Sequence, residues 1–250
     1  MIGPIAPRVA RMTRVTFVAR AVLAIAALSY LTTACAPSSG AASTTTMTAD
    51  TSTWRSLMGP DLDALWRGYR ADSIPRAWHL VGDTLTKSES TDDIITREPY
   101  SDFELELDWK LSAGGNAGIF YRATEEYDHV YWSGPEYQLL DDAGHPDGRN
   151  RLTAAGSSYA LYPAEAGVVK PAGEWNSTRI VARGAHVEHW LNGKKLVELE
   201  LWSPDWKARV EKSKFAEWRD YGRARAGYIG IQGDHDGTLS LRGIRIRPLD

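Results

Sequence analysis

The sequence predicts an all-β chain, an antiparallel two-sheet sandwich with minor helical segments, on three observations: period-two alternation, an Asn-Gly hairpin signal and a scarcity of helical periodicity. In FELELDWKL (103–111), Phe103, Leu105, Leu107, Trp109 and Leu111 share one face, while Glu104, Glu106, Asp108 and Lys110 share the other, the spacing of a half-buried strand. EYQLL (136–140), STRIVAR (177–183), AHVEHWLNGKKLVELEL (185–201), GYIGIQ (227–232) and LSLRGIRIRPL (239–249) continue the pattern. Asn192-Gly193 interrupts the fourth of these six runs, and such a pair suits the positive backbone angles of a two-residue hairpin. Helix candidates are limited to SLMGPDLDALWRGYR (56–70), near Asp61, and SPDWKARVEKSKFAEW (203–218). Strand runs joined by tight turns bury one face by packing two sheets together. Such packing turns Asp108, Lys110, Glu136, Gln138, Arg179 and Gln232 outward, and the expectation is that they converge on one groove.

The first 35 residues read as an export signal. Arg8, Arg11, Arg14 and Arg20 precede the apolar run AVLAIAALSYL (21–31), too short to span a bilayer comfortably. TTAC follows, ending at Cys35, the chain's one cysteine. Small residues before a cysteine, directly after a short apolar run, resemble a bacterial lipobox. That resemblance implies lipidation at Cys35 and a lipoprotein of the cell envelope, facing the periplasm or the exterior. Lipidation would also dispose of a lone thiol in an exported chain. Residues 36–53 are small, polar and nearly uncharged, the composition of a flexible tether, so a single domain is expected over 54–250.

The composition is ordinary for a globular protein, with 43% hydrophobic and 24% charged residues. The 10 Trp and 11 Tyr against 4 Phe stand out, because rings with a flat apolar face and a polar tip suit stacking on sugars as well as packing in a core. The leader holds four Arg and no acid, so the −3 of the whole chain becomes −7 once they are removed. An acidic surface speaks against nucleic acid, which needs clustered positive charge. The expected partner is a small molecule.

Several motifs carry chemistry. GGNAGIFYR (114–122), which includes Asn116, joins strands through glycines that allow close approach to a ligand, or that build a simple hairpin with Arg122 as a surface ion-pair partner. GPEYQLLDD (134–142) puts Glu136 and Gln138 on one strand face and Asp141 on the other unless a bulge shifts it. In GEWN (173–176), Trp175 and Asn176 either cap a groove or lead into a strand. Lys214 is a lone cation near two aromatics, Gln232 and His235 lie at a strand end, and His145 sits in a loop. His186 and His189, three apart on a strand, face opposite ways, and no histidine pair has metal-ligand spacing. Loop oxygens at Asp141, Asp142 and Asp147 admit calcium, but no ligand motif supports it, and neither metal nor cofactor is expected.

Taken in order, LDALWRGYR (62–70), AWHLVGDTL (77–85), PYSDFELELDWKLSAGGNAGIFYR (99–122), GPEYQLLDD (134–142), AGSSYALYPA (155–164), KPAGEWNSTRIVARGAHVEHWLNGKKLVE (170–198), SKF (213–215), GYIGIQGDHDG (227–237) and LRGIRIRPL (241–249) resemble the 3-keto-disaccharide hydrolase domain family. The resemblance covers essentially all of 54–250. It implies a concanavalin A-like jelly roll and cleavage of glycosides already oxidised at C3. That ketone acidifies the C2 hydrogen; a base removes it, the aglycone leaves from C1, and water adds to give the 3-keto sugar. This route needs a base, a donor for the leaving oxygen and groups that stabilise the enolate. The candidates are Glu136 or Asp141 as base, His145 or His235 as donor, Arg122 or Lys214 with Gln138 at the enolate, and Trp132 or Trp175 stacked on the sugar. Asn116, Asn176 and Gln232 are further substrate-binding candidates.

Jelly-roll glycosidases carry an acidic E-x-D-x-x-E strand. Here the string is EYQLLD, with Gln138 in place of the middle carboxylate. That departure weakens a conventional retaining glycosidase, which needs two carboxylates about 5–5.5 Å apart. A non-catalytic carbohydrate-binding lipoprotein on the same fold stays open as the other alternative.

Overall fold

The computed structural model describes residues 53–249. The leader, Cys35 and the tether as far as residue 52 lie outside the described residues. In chain order the strands are β1 (Arg55–Ser56), β2 (Trp66–Gly68), β3 (His79–Val81), β4 (Thr84–Lys87), β5 (Ile94–Thr96), β6 (Phe103–Leu111), β7 (Asn116–Ala123) and β8 (Glu136–Leu140). There follow β9 (Asn176–Arg183), β10 (His186–Leu191), β11 (Lys194–Glu200), the helix α1 (Pro204–Glu211), β12 (Tyr228–Ile231) and β13 (Leu239–Pro248).

The strands pair antiparallel in two sheets. The larger runs β11-β10-β9-β6-β13-β4-β3, with β1 on β13, and the smaller runs β2-β5-β12-β7-β8. Each alternating run became a strand with its apolar face inward: Phe103, Leu105, Leu107, Trp109 and Leu111 of β6 are all buried. They pack in one core with Ile180, Leu241 and Ile246 of the large sheet and with Ile119, Tyr137, Leu139 and Ile231 of the small one. Burial of each such side chain is worth ~1.5–3 kcal/mol. The polar atoms inside this layer are paired in series: Trp109 Nε1 donates to Thr178 Oγ1 (2.9 Å), Thr178 Oγ1 to Tyr137 OH (2.9 Å), and Tyr137 OH to Trp190 O (3.0 Å). That pairing satisfies groups that would be costly to bury alone. Asn192 and Gly193 make the β10–β11 hairpin with φ of 49° and 80°, as the sequence predicts.

Two sequence expectations need correction. Residues 56–70 hold no helix; they form β1, a turn in which Asp61 Oδ1 accepts from Ala64 N at 3.2 Å, and β2. The second helical segment is real, forming α1 and a 3-10 turn at Lys214–Glu217, each capped by a serine, Ser203 and Ser213. The expected single groove is also divided. Asp108, Lys110 and Arg179 lie on the large sheet, whereas Glu136, Gln138 and Gln232 belong to the small sheet and its end. Alternation separates inside from outside, but a sandwich has two outsides.

The small sheet is covered on both faces, which is why all five residues of β8 are buried. Its inner face meets the main core. On its outer face Ile95, Phe120, Ala123 and Val130 form a second apolar cluster, and the remaining strip opens into a polar hollow. No helix among the described residues is long and apolar enough to cross a membrane.

Candidate active site

The hollow has a volume of about 340 Å³, the low end of the range for small-molecule sites. Its floor is the outer face of the small sheet, where period two points Glu136 and Gln138 of β8 the same way. Asn116 of β7 and Gln232 at the end of β12 complete the floor. The walls come from segments between strands: Tyr131 from the turn before β8, His145 and Asp147 from the loop after it, Tyr159 from a later loop, Lys214 from the 3-10 turn, and Asp234 and His235 from the β12–β13 connection.

Glu136 is 6% exposed and its carboxyl has no hydrogen-bond partner among the described residues. Burial pushes its pKa up to about 8; Lys214 opposes the shift, while Asp93, Asp234 and Asp147 add to it. The carboxyl lies over a residue without a side chain. A Cβ on Gly118 would stand 2.2 Å from Glu136 Oε1, so glycine here gives the acid its place. Gln138 Nε2 donates to Asn116 Oδ1 at 2.8 Å. The Oε1 atoms of Gln138 and Gln232 are buried without a partner, acceptors that suit a ligand rich in hydroxyl donors.

His145 Nδ1 accepts from Asp147 N at 3.2 Å, which leaves the ring proton on Nε2. His235 is held below the usual histidine range by burial, with Lys87 and His145 adding to that and Asp234 opposing it. Its loop is fastened from the β4–β5 segment at successive peptides. Thr91 N donates to Gly233 O (3.0 Å), Gly233 N to Asp93 Oδ1 (2.7 Å), Ser90 Oγ to Asp234 O (2.7 Å), and Lys87 Nζ to His235 O. Lys87 is 1% exposed, and burial lowers its pKa. Lys214 Nζ stands 4.4 Å from the Tyr159 ring centre, a cation held over an aromatic face.

Of the residues expected from sequence, the structure brings Asn116, Glu136, Gln138, His145, Lys214, Gln232 and His235 together. The others lie elsewhere. Asp141 turns its Oδ2 to Gly114 N at 2.8 Å and organises the loop that carries His145. Arg122 has φ of 50° where the β7–β12 register shifts. That bulge re-aims its side chain to Ser101 O (2.8 Å), Gly184 O (2.7 Å) and Asp102 Oδ1 (3.1 Å). Trp175 belongs to the large sheet, its ring under Lys110 (4.8 Å) and Arg242 (4.2 Å). Asn176 begins β9 and accepts from Lys170 N and Asn192 Nδ2, both at 2.8 Å. Trp132 stacks on Trp218 with ring centres 5.1 Å apart, one ring behind Tyr131. The rings facing the hollow are therefore the tyrosines Tyr131 and Tyr159. These two, with Asp147 and Asp234, carried no periodic signal as site residues because they sit in the connections between strands, Tyr131 and Asp147 in short 3-10 turns.

Of the three aspartates that would admit calcium, Asp141 and Asp142 bind the backbone N–H groups of Gly114 and Ala155 at 2.8 Å each, while Asp147 faces the hollow. His186, Glu188 and Glu198 place ligand-type atoms within 4.8 Å of one another on the large sheet, but Lys195 already pairs with both glutamates. A wider depression of about 590 Å³ on that face is lined by charges paired across strands, Arg245 with Glu106 and Arg242 with Asp108. Among the described residues, the small-sheet hollow alone combines a buried unpaired carboxyl with unsatisfied amide oxygens.

Fold and site define a class, a two-sheet jelly roll with a polar hollow on the outer face of its smaller sheet. The chain belongs to the family described as the 3-keto-alpha-glucoside-1,2-lyase-like domain, whose model matches residues 53–247. It is 34% identical over 217 residues to a 3-keto-disaccharide hydrolase of Bacteroides thetaiotaomicron, covering 74% of each chain. Among solved structures it is similar to a putative glycosyl hydrolase from Parabacteroides distasonis, with TM-score 0.73 and 33% identity over 79% of this chain and 94% of that one. A second putative glycosyl hydrolase from the same organism matches with TM-score 0.63 and 30% identity over 79% of this chain and 100% of that one.

Proposed function

We propose that the chain cleaves 3-keto-glycosides by elimination and hydration, with Glu136 as the base. The observation that carries this is the buried Glu136 carboxyl, pushed up to about 8, in a hollow that also holds a cation and two unsatisfied acceptors. A carboxylate of raised pKa is a stronger base for a C–H acid and still ionises within reach of neutral pH. Glu136 takes the C2 proton, and the electron pair moves onto the C3 oxygen. Lys214 stabilises that oxyanion, with the Gln138 amide fixing the ring hydroxyls beside it. The enolate reforms the ketone, making the C1–C2 double bond as the C1–oxygen bond breaks; Glu136 passes the proton it has taken to the leaving oxygen, to which His145 Nε2–H donates a hydrogen bond. Water adds at C1 as its proton goes to the neutral His235, and that proton is then delivered to C2, which returns Glu136 and His235 to their starting states. The products are the free aglycone and the 3-keto sugar.

The retaining-glycosidase alternative needs a second carboxylate beside the first, and Gln138 occupies the neighbouring floor position. Product analysis on a 3-keto-glucoside and its unoxidised parent tests the reading. Cleavage of the keto compound alone is expected, with turnover lost by orders of magnitude in Glu136→Gln. Cleavage of the parent, or full activity of that variant, would overturn it. Binding of both compounds without turnover would select the carbohydrate-binding alternative. The apolar run preceded by arginines and the TTAC motif also support export and lipidation at Cys35, for which metabolic labelling with a fatty acid is the direct assay.

A further inference from the structure

We infer that the aglycone is a flat aromatic group bearing a negative charge, seated in a second pocket that adjoins the hollow across a ridge of packed rings. This rests on the 3-keto-glycoside reading and names the substrate class it leaves open. The pocket has a volume of about 510 Å³ and is lined by Trp202, Trp206, Trp218 and Tyr221. The ridge begins inside the hollow. Tyr131 lies 6.0 Å from Trp132 and Trp132 lies 5.1 Å from Trp218, centre to centre, and Trp218 lines the second pocket. The segment Ser213–Trp218 serves both sides, with Lys214 in the hollow and Ala216 and Trp218 in the pocket. An aryl group leaving C1 thus meets aromatic surface outward from the reacting centre.

The charge follows from the rim. In a chain of net charge −3, the pocket collects Lys207, Arg219, Arg223 and Arg225 against one acid, Glu211. Lys207, Arg223 and Arg225 have no ion-pair partner among the described residues, and the Arg219 contact to Asp220 is loose at 3.6 Å. Arg225 and Arg122 both stand over the Trp202 ring, at 4.4 and 5.5 Å. Two like charges over one ring repel, and an anion beside Arg225 relieves that repulsion. Trp202 is held with φ of 62°, a backbone rarely adopted outside glycine, and its Nε1 donates to Gly222 O at 2.8 Å. A fixed ring beside a guanidinium fork recognises an aryl carboxylate: the ring takes the plane and the fork takes the oxygens.

The test compares the 3-keto-glucosides of 4-hydroxybenzoate and of 4-hydroxybenzamide, its neutral near-isostere, on the wild type and on an Arg223→Ala/Arg225→Ala double variant. The expected KM for the benzoate glycoside is about tenfold below that for the benzamide in wild type, and the ratio collapses toward one in the double variant. Differences in leaving-group chemistry cancel between the two proteins. Methyl 3-keto-glucoside has no aryl group and reports cleavage alone. Turnover of it, with equal KM for the two aryl compounds, overturns the aglycone pocket and leaves the cleavage reading standing. If neither the methyl compound nor the two aryl compounds is cleaved, the cleavage reading fails, and tryptophan quenching by the two unoxidised aryl glucosides judges the pocket separately. Equal affinities there, or a preference that survives in the double variant, overturn it.

Discussion

Replacing Glu136 with Gln is expected to abolish activity and yet make the protein more stable, by an amount that grows with pH. The side chain keeps its shape and stays neutral. In the wild type, burial raises the carboxyl from its ordinary 4.5 to about 8, so the folded state binds this proton more tightly than the unfolded chain. The stability this confers is fully present below the unfolded value and is lost as pH rises through the folded one. Each tenfold change in proton affinity is worth ~1.4 kcal/mol. Relative to a neutral isostere, the wild type is therefore penalised by ~1 kcal/mol at pH 5, ~3 kcal/mol at pH 7 and ~4 kcal/mol at pH 8. For a domain of this size the last figure corresponds to a Tm advantage of ~10 °C for the variant. Asp93, which burial raises to about 7, titrates in the same window; it is common to both proteins and enters the difference only through its coulombic effect on Glu136. Urea titrations of wild type and Glu136→Gln at pH 5, 7 and 8 measure the gap directly. A gap that stays flat across that range, or a wild type more stable than the variant at pH 8, would refute the assignment of the raised value to Glu136.

Other perturbations address the geometry around the same acid. Lys214 holds the Glu136 value down, so Lys214→Met should move the acidic limb of the kcat/KM profile to higher pH and lower kcat; an unmoved limb would separate Lys214 from the base. Gly118→Ala places a Cβ 2.2 Å from Glu136 Oε1. That contact is with the far end of a side chain rather than with backbone, so the fold should survive by circular dichroism while activity falls about tenfold or more from misplacement of the base. Lys87→Met removes a buried donor to His235 O and a positive charge that lowers the His235 value. The His235 imidazole should then titrate at higher pH by NMR, with a reduced kcat, whereas an unchanged titration would limit Lys87 to a packing role.

What could be read from sequence followed from how local each feature is. Strand β6 and the Asn192-Gly193 hairpin were legible because alternation and turn chemistry are properties of a few adjacent residues. Glu136 and Gln138 were correctly paired for the same reason, being two apart on one strand. The gathering of His145, Lys214, Gln232 and His235 around them depends on long-range topology, and the family motifs indicated it where periodicity did not. Arg122 was misplaced because a bulge breaks period two at that residue. For Trp175 and Asn176 the sequence left a groove cap and a strand entry equally open, and the structure shows the strand entry, at the start of β9 in the large sheet, since polarity along a strand does not say which outer face it meets. Lys87 shares the buried face of Leu85 in β4, and it is the crossing of the β12–β13 connection that gives its ammonium a partner, His235 O.

That crossing has a consequence for how the enzyme can change. Glu136, the proposed base, rides on the small sheet, while the loop bearing His235 runs from β12 of that sheet to β13 of the other and is fastened by Lys87 at the end of β4 in the large sheet and by Ser90, Thr91 and Asp93 of the β4–β5 connection. The spacing between that carboxyl and the imidazole therefore depends in part, through Lys87, on the thickness of apolar filling between the two sheets. A substitution that swells or thins that filling, far from any ligand, would open or close the reacting gap like the jaws of a gauge, so altered turnover can arise from wholly hydrophobic replacements.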